Sequence, residues 1–232
     1  MATNAQIGAV PGFSARRLSP ELLAGAERGD RQANLRDLAR INRWFGGHRL
    51  ARTLVREVAR STEEIRVLDA GAASGDMGRA IRRELPRATV VSLDRSRSHL
   101  DGAGERSVAA DLFHPPFRPR SFDIVFCSLL LHEHSDAEAE RLLRGLFRLA
   151  RRALIVLDLY RHRFAYYFLP ATRLLFQWHW ITLHDGPVSV AAAFRPGELL
   201  ELARGAGLEN ARVRLHRPWF RVSLLAQREP DA

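Results

Sequence analysis

The chain has 232 residues, 46% of them hydrophobic, enough apolar surface for a sizeable core and enough to exclude wholesale disorder. Its formal net charge is +10, yet every basic residue besides histidine is an arginine, scattered in pairs such as Arg16-Arg17, Arg82-Arg83 and Arg151-Arg152 instead of gathered in a stripe with stacking aromatics, so no specific nucleic-acid partner is expected. The single cysteine, Cys127, excludes a disulfide framework, and residues 1–15 lack the basic head and apolar core of a secretory signal, so a cytoplasmic location is expected.

In chain order, a short arm runs to about Gly12, and residues 21–61 carry helical spacing. Leu35, Leu38 and Ile41 share one helix face, and Leu50, Leu54, Val55 and Val58 share another. Asn42-Arg43-Trp44-Phe45-Gly46-Gly47 reads as the join between the two helices, because paired glycines stop a helix. Residues 1–60 therefore form an expected arm and cap, with Trp44 and Phe45 placed to pack toward a ligand. Residues 61–232 form the main domain.

That domain opens on Val67-Leu68-Asp69-Ala70-Gly71-Ala72-Ala73-Ser74-Gly75, an apolar run broken by an acid and entering a glycine-rich turn. A helix over residues 76–85 follows at once. Such a turn leaves backbone N–H groups free at a helix N-terminus and lets a ligand lie against the main chain. A second β-branched run, Ala88-Thr89-Val90-Val91-Ser92-Leu93-Asp94, again stops at an acid, where a carboxylate can accept both hydroxyls of a ribose. Asp111 follows the short run Ser107-Val108-Ala109-Ala110, and Phe122-Asp123-Ile124-Val125-Phe126-Cys127-Ser128 reads as a fourth strand. An amphipathic helix over 136–150 and a fifth strand over 153–158 come next. Residues 196–203 form a last helix closed by Gly205 or Gly207, and strands over 211–216 and 220–227 are joined at His216-Arg217-Pro218-Trp219. Strands alternating with helices indicate an α/β doubly wound, mostly parallel sheet.

Residues 65–158 resemble the class I S-adenosylmethionine-dependent methyltransferases, and are most similar to the small-molecule branch that includes ubiquinone and menaquinone biosynthesis and secondary-metabolism enzymes. The resemblance implies a Rossmann-like seven-stranded sheet ending in an antiparallel hairpin, with S-adenosyl-L-methionine as cofactor. Asp69, Gly71, Ala73 and Gly75 match the motif for its methionine part, with Ala73 standing where the family usually has glycine. Asp94, followed by Arg95, matches the ribose acid, Asp111 and Leu112 match the pair facing the adenine, and Ser128 ends the fourth strand beside them. A nicotinamide enzyme would show Gly-x-Gly-x-x-Gly, whereas this turn offers Gly-x-x-x-Gly.

Between the fifth strand and the last helix, residues 159–195 hold nine of the nineteen aromatic residues, including all three tyrosines. A connection of this length needs structure of its own, and it reads as a helical lid inserted over the sheet edge. Tyr160, Tyr167, Trp178 and Trp180, with Trp44, are the candidate pocket residues. Pro170, Arg173 and His179 interrupt the apolar run, so no transmembrane segment is expected; a bilayer surface or a homodimer through the aromatic lid is compatible with the same composition.

Methyl transfer is an in-line displacement that needs alignment, and a base only when the acceptor is a hydroxyl or an acidic carbon. His184, in His184-Asp185-Gly186-Pro187, which reads as a rigid turn, and His132, in Leu131-His132-Glu133-His134, are the candidate bases. The latter spacing is not that of a helical zinc site, so no metal is expected. The expected function is O- or C-methylation of a small apolar acceptor, phenolic or quinol-like. The rivals are an RNA methyltransferase and a non-catalytic S-adenosylmethionine-binding protein.

Overall fold

The computed structural model describes residues 13, 15–104 and 106–229, and the arm read through Gly12 lies outside them. A 3-10 turn, Leu22–Gly25, precedes α1 (Arg28–Trp44) and α2 (Gly47–Arg56). Asp30 in the first turn and Arg43 in the last complement the dipole of α1. The join needs glycine for space as well as for its backbone: Gly46 has φ +82°, and a Cβ there would lie 2.5 Å from the Trp219 ring.

The sheet is built from β1 (Arg66–Ala70), then after α3 (Asp76–Glu84) from β2 (Thr89–Asp94), β3 (Ser107–Ala109) and β4 (Phe122–Ser128). After α4 (Asp136–Leu149) comes β5 (Ala150–Leu159), then α5 (Arg163–Phe176), α6 (Trp180–Ala192) and α7 (Pro196–Gly205), and finally β6 (Arg212–His216) and β7 (Arg221–Gln227). Ser135 and Glu138 close a capping box on α4, satisfying donors at its N-terminus. The strand order is β3-β2-β1-β4-β5-β7-β6, with β1 to β5 parallel and β7 antiparallel to both its neighbours. This is the doubly wound sheet with a terminal hairpin that the sequence predicts.

All seven residues of β4 are buried, because helices cover both faces of the sheet. One face packs Leu142, Leu146, Phe194 and Leu199 against Leu68 and Leu154; the other packs Leu54, Val55 and Ile81 against Val67, Ile124 and Ile155. The chain reverses its winding between β1 and β4, which opens a crevice at the carboxyl ends of the strands. Antiparallel pairing sets Arg221, the first residue of β7, opposite Leu159 at the same edge.

Residues 159–195 are largely helical, and His184-Asp185-Gly186-Pro187 lies inside α6 instead of forming a turn. Close approach accounts for this, since a Cβ on Gly186 would come 2.2 Å from Leu169 Cδ1 of α5. Packing of α6 on α5 thus holds a helix through a proline that local propensity would use to break it. Among the described residues no helix is long and apolar enough to cross a membrane.

Candidate active site

The crevice begins at Asp69, whose buried carboxyl accepts the Gly78 N–H at 2.9 Å. Burial, reinforced by the charge on Asp76, pushes its pKa up to about 7. The turn after β1 is fastened to β2 by the Gly71 and Ala72 N–H groups, which donate to the Leu93 carbonyl at 2.8 and 3.0 Å. Gly71 and Gly75 both have positive φ, and a Cβ on Gly75 would lie 2.7 Å from Ala103 Cα. Ala73 takes φ +44°, a conformation that glycine favours, and its N–H reaches Asp94 Oδ2 at 2.9 Å. Burial opposes a charge on Asp94, but His99 and the Ser96 and Ala73 N–H groups together hold its pKa below the usual range.

A cavity of about 900 Å³ extends from this turn. Asp69, Gly71, Ala73, Asp94, Arg95, Asp111, Leu112 and Ser128 all line it, whereas Gly75 stands behind them as the N-cap of α3. Ser128 Oγ is buried and has no hydrogen-bond partner among the described residues. A cradle closed to side chains, two strand-end carboxylates and an unpaired hydroxyl fit a nucleoside with an amino-acid tail.

The other half of the cavity is mostly apolar, with Asn34, Thr182, Ser189 and Arg221 among its polar lining. Leu35, Leu38, Ile41 and Phe45 line it from the α1 side, Phe168 and Leu169 from α5, Val188 and Val190 from α6, and Trp219 and Phe220 from the turn before β7. None of the five sequence-predicted pocket aromatics lines it. Trp44, Tyr167 and Trp180 are exposed. Trp178 is buried but stacks on Phe176 and gives its indole N–H to Thr172, and Tyr160 stacks on His162. A helical period separates neighbours in sequence, so Tyr167 turns outward while Phe168 and Leu169 turn in.

His132 sits in a 3-10 turn, Leu131–Glu133, directly after β4, and lines the cavity. Its Nδ1 lies 2.6 Å from Asp158 Oδ1, its backbone N–H 3.2 Å from Oδ2, and its Nε2 3.7 Å from Glu21 Oε1. Burial disfavours the imidazolium, but Asp158 and Glu21 outweigh it and raise the pKa well above the usual value. His184 is not among the cavity-lining residues; its half-exposed ring bonds Asp185 at 2.9 Å. The structure thus brings together one of the two candidate bases with the cofactor motif.

Four residues here went unnoticed in the sequence. Asp158 repeats the pattern of a strand ending in an acid, and that signal could have found it. Glu21 enters from the segment before α1 and bonds Ser189 on α6. Arg221 is 2% exposed and gives Nη2 to Asn42 Oδ1 at 2.8 Å, while its Nη1 has no hydrogen-bond partner among the described residues. Burial lowers its pKa to about 10. Asn42 in turn donates to Asp76 Oδ2 at 3.0 Å, an oxygen that His48 also approaches at 2.9 Å. No local pattern announces Arg221 or Asn42 as a pair, because they are brought together only by the fold.

Residues 67–153 match the family described as methyltransferase domain. Over 137 residues the chain is 30% identical to the demethylmenaquinone methyltransferase of Thermotoga maritima, a match covering 56% of this chain and 59% of that protein. The chain thus spans about three-fifths of the length of this curated relative. Among solved structures, plantazolicin methyltransferase in complex with S-adenosylhomocysteine is similar with a TM-score of 0.59 at 15% identity, over 90% of this chain and 96% of that one. Magnesium protoporphyrin IX methyltransferase from Synechocystis PCC 6803 gives 0.56 at 18% identity over 79% and 84%. An S-adenosylmethionine-dependent methyltransferase from Aquifex aeolicus gives 0.56 at 16% over 76% and 88%. At such identities the structural likeness is one of fold.

Strand order, the glycine turn with its two acids, and the domain match agree with the fold of class I methyltransferases. Residues 67–153 of the chain are thus similar to a methyltransferase domain, within a sheet whose fold is shared with S-adenosylmethionine-dependent methyltransferases.

Proposed function

We propose that this protein transfers the methyl group of S-adenosyl-L-methionine to an oxygen or carbon atom of a small apolar acceptor, phenolic or quinol-like. The observation that carries the reading is one continuous cavity, polar and glycine-walled at the β1 turn and apolar against α1, α5 and α6, with a buried His132–Asp158 pair in contact with it. Asp69, Gly71, Ala73, Asp94, Arg95, Asp111, Leu112 and Ser128 would hold the cofactor, which supplies an electrophilic methyl group on sulfonium sulfur.

His132 takes the proton of the acceptor O–H or C–H at Nε2, while Asp158 fixes the ring through Nδ1 and stabilises the imidazolium that results. Because the carboxylates raise the pKa of this histidine, its neutral form gains population only on the alkaline side, and the rate rises with pH there. Arg221 offers Nη1 to an acceptor oxygen, which favours acceptors bearing a hydroxyl that ionises. The relative named as a demethylmenaquinone methyltransferase supports the quinol-like alternative.

Two measurements test this. Calorimetry with S-adenosylmethionine and S-adenosylhomocysteine should give micromolar binding that Asp94→Ala abolishes. Methyl transfer to alkylated phenols, resorcinols and quinols should then be detected and the methylated atom located by mass spectrometry. No turnover with any of these, alongside rapid methylation of a polar acceptor, sinks the acceptor assignment.

A further inference from the structure

Among the described residues, the strongly exposed large apolar side chains all fall in two stretches, residues 18–44 and 164–180, and none lies on the sheet or the helices that cover it. On α5 they form a stripe. Phe164, Tyr167 and Leu174 follow the helical period with Leu175 beside them, and Leu174 and Leu175 are 84% and 77% exposed. Leucines so uncovered, with Trp180 also exposed at the start of α6, form an exposed apolar surface of the kind that marks an interaction site. Arg163 and Arg173 stand exposed on the same helix, and residues 163–180 contain no acidic residue.

We infer that the outer face of α5 docks on an anionic lipid bilayer. An apolar stripe edged by arginines matches such a surface term for term: the leucines and aromatics enter the acyl boundary, and the guanidinium groups meet lipid phosphates at headgroup level. A second copy of this chain fits less well, since a two-fold contact through this face would set α5 against α5 with arginines on both sides and no carboxylate between residues 163 and 180 to answer them. The inner face of the same helix, through Ala165, Phe168 and Leu169, walls the apolar half of the cavity. This deepens the proposed function, because an apolar acceptor dissolved in the bilayer would lie beside the helix that walls its chamber; the docking itself rests on the α5 surface alone.

The test is co-sedimentation of the full chain with vesicles of phosphatidylcholine, with and without phosphatidylglycerol, at low and high salt. Binding is expected to vesicles containing phosphatidylglycerol, to weaken with salt, and to fall by at least about tenfold in both L174E/L175E and R163E/R173E. Circular dichroism and S-adenosylhomocysteine binding check that the variants are folded. Equal sedimentation of variants and parent, no binding to anionic vesicles, or a parent dimer in light scattering that L174E/L175E dissociates would each overturn the proposal. Loss of S-adenosylhomocysteine binding by the parent would instead count against the methyltransferase reading and leave the vesicle result to stand separately.

Discussion

At residue scale, the turn after β1 carries a local cost at one position. Ala73 occupies left-handed backbone at φ +44°, where a Cβ is disfavoured by about 1 kcal/mol. Ala73→Gly should therefore stabilise the protein by roughly 0.5–1 kcal/mol, seen as a melting temperature about 1–4 °C higher. An unchanged or lower melting temperature would mean that the methyl group makes compensating contacts. The His132–Asp158 pair gives a sharper expectation. His132→Gln should lower kcat by about 10²–10⁴-fold while leaving S-adenosylhomocysteine affinity within about twofold. Asp158→Asn removes the largest influence raising the histidine pKa, so the alkaline rise of the rate should move toward lower pH. A pH profile that Asp158→Asn leaves in place would assign proton removal to another group.

At the scale of elements, the segment before α1 is bound to α6 by side chains from both, Glu21 to Ser189 and Asp185 back to the segment's backbone. Asp185 is buried and accepts the Leu22 and Leu23 N–H groups at 2.9 and 3.0 Å, which caps the 3-10 turn that brings Glu21 to His132. Asp37 does the reverse, reaching from α1 to the His179 N–H at 2.7 Å. Asp185→Ala should cost about 1–3 kcal/mol of stability. It should also raise the KM for the acceptor more than it alters cofactor affinity, since Leu18, Pro20 and Leu23 line the apolar half. Steady-state kinetics with both substrates varied decides this, and an equal effect on both would place the segment in general support of the fold.

At the scale of the whole molecule, the parallel sheet forces carboxylates together at its carboxyl edge, and stability should record this through pH. Asp69 has an ordinary pKa of 3.8 when unfolded and one of about 7 in the fold. Between these values the folded chain holds a proton that the unfolded chain has lost, so the contribution of Asp69 to stability falls as pH rises across that window. Asp69→Asn retains the acceptor for the Gly78 N–H without the charge. Measured without cofactor, its melting temperature relative to the parent should climb from about pH 5 to about pH 8. A constant difference would show that Asp69 is not the titrating group. The His132–Asp158 pair acts differently: its raised histidine and lowered aspartate both favour the folded chain, from just above the ordinary carboxylate range up to the pKa of the folded histidine.

The sequence by itself determined the order of strands and helices, the glycine turn and the acids that close β1 and β2, because these are local signals: β-branched runs, helical spacing, and backbone conformations that few residues tolerate. The cavity-lining residues proposed to hold the cofactor were legible for that reason. It also located the aromatic concentration in residues 159–195, but not which aromatics face inward, since Tyr167 and Phe168 are alike in composition and differ only in helix phase. Tertiary structure alone decided that the helix period turns Phe168 and Leu169 to the cavity, that α6 runs through Pro187, and that His132 and not His184 stands in the crevice. It also joined Glu21, Asp158, Asn42 and Arg221, residues far apart in the chain, at one edge. Their pairing depends on an antiparallel β7 inserted beside β5 and on a segment folded back under α6, and contacts made at such separation leave no periodicity to read.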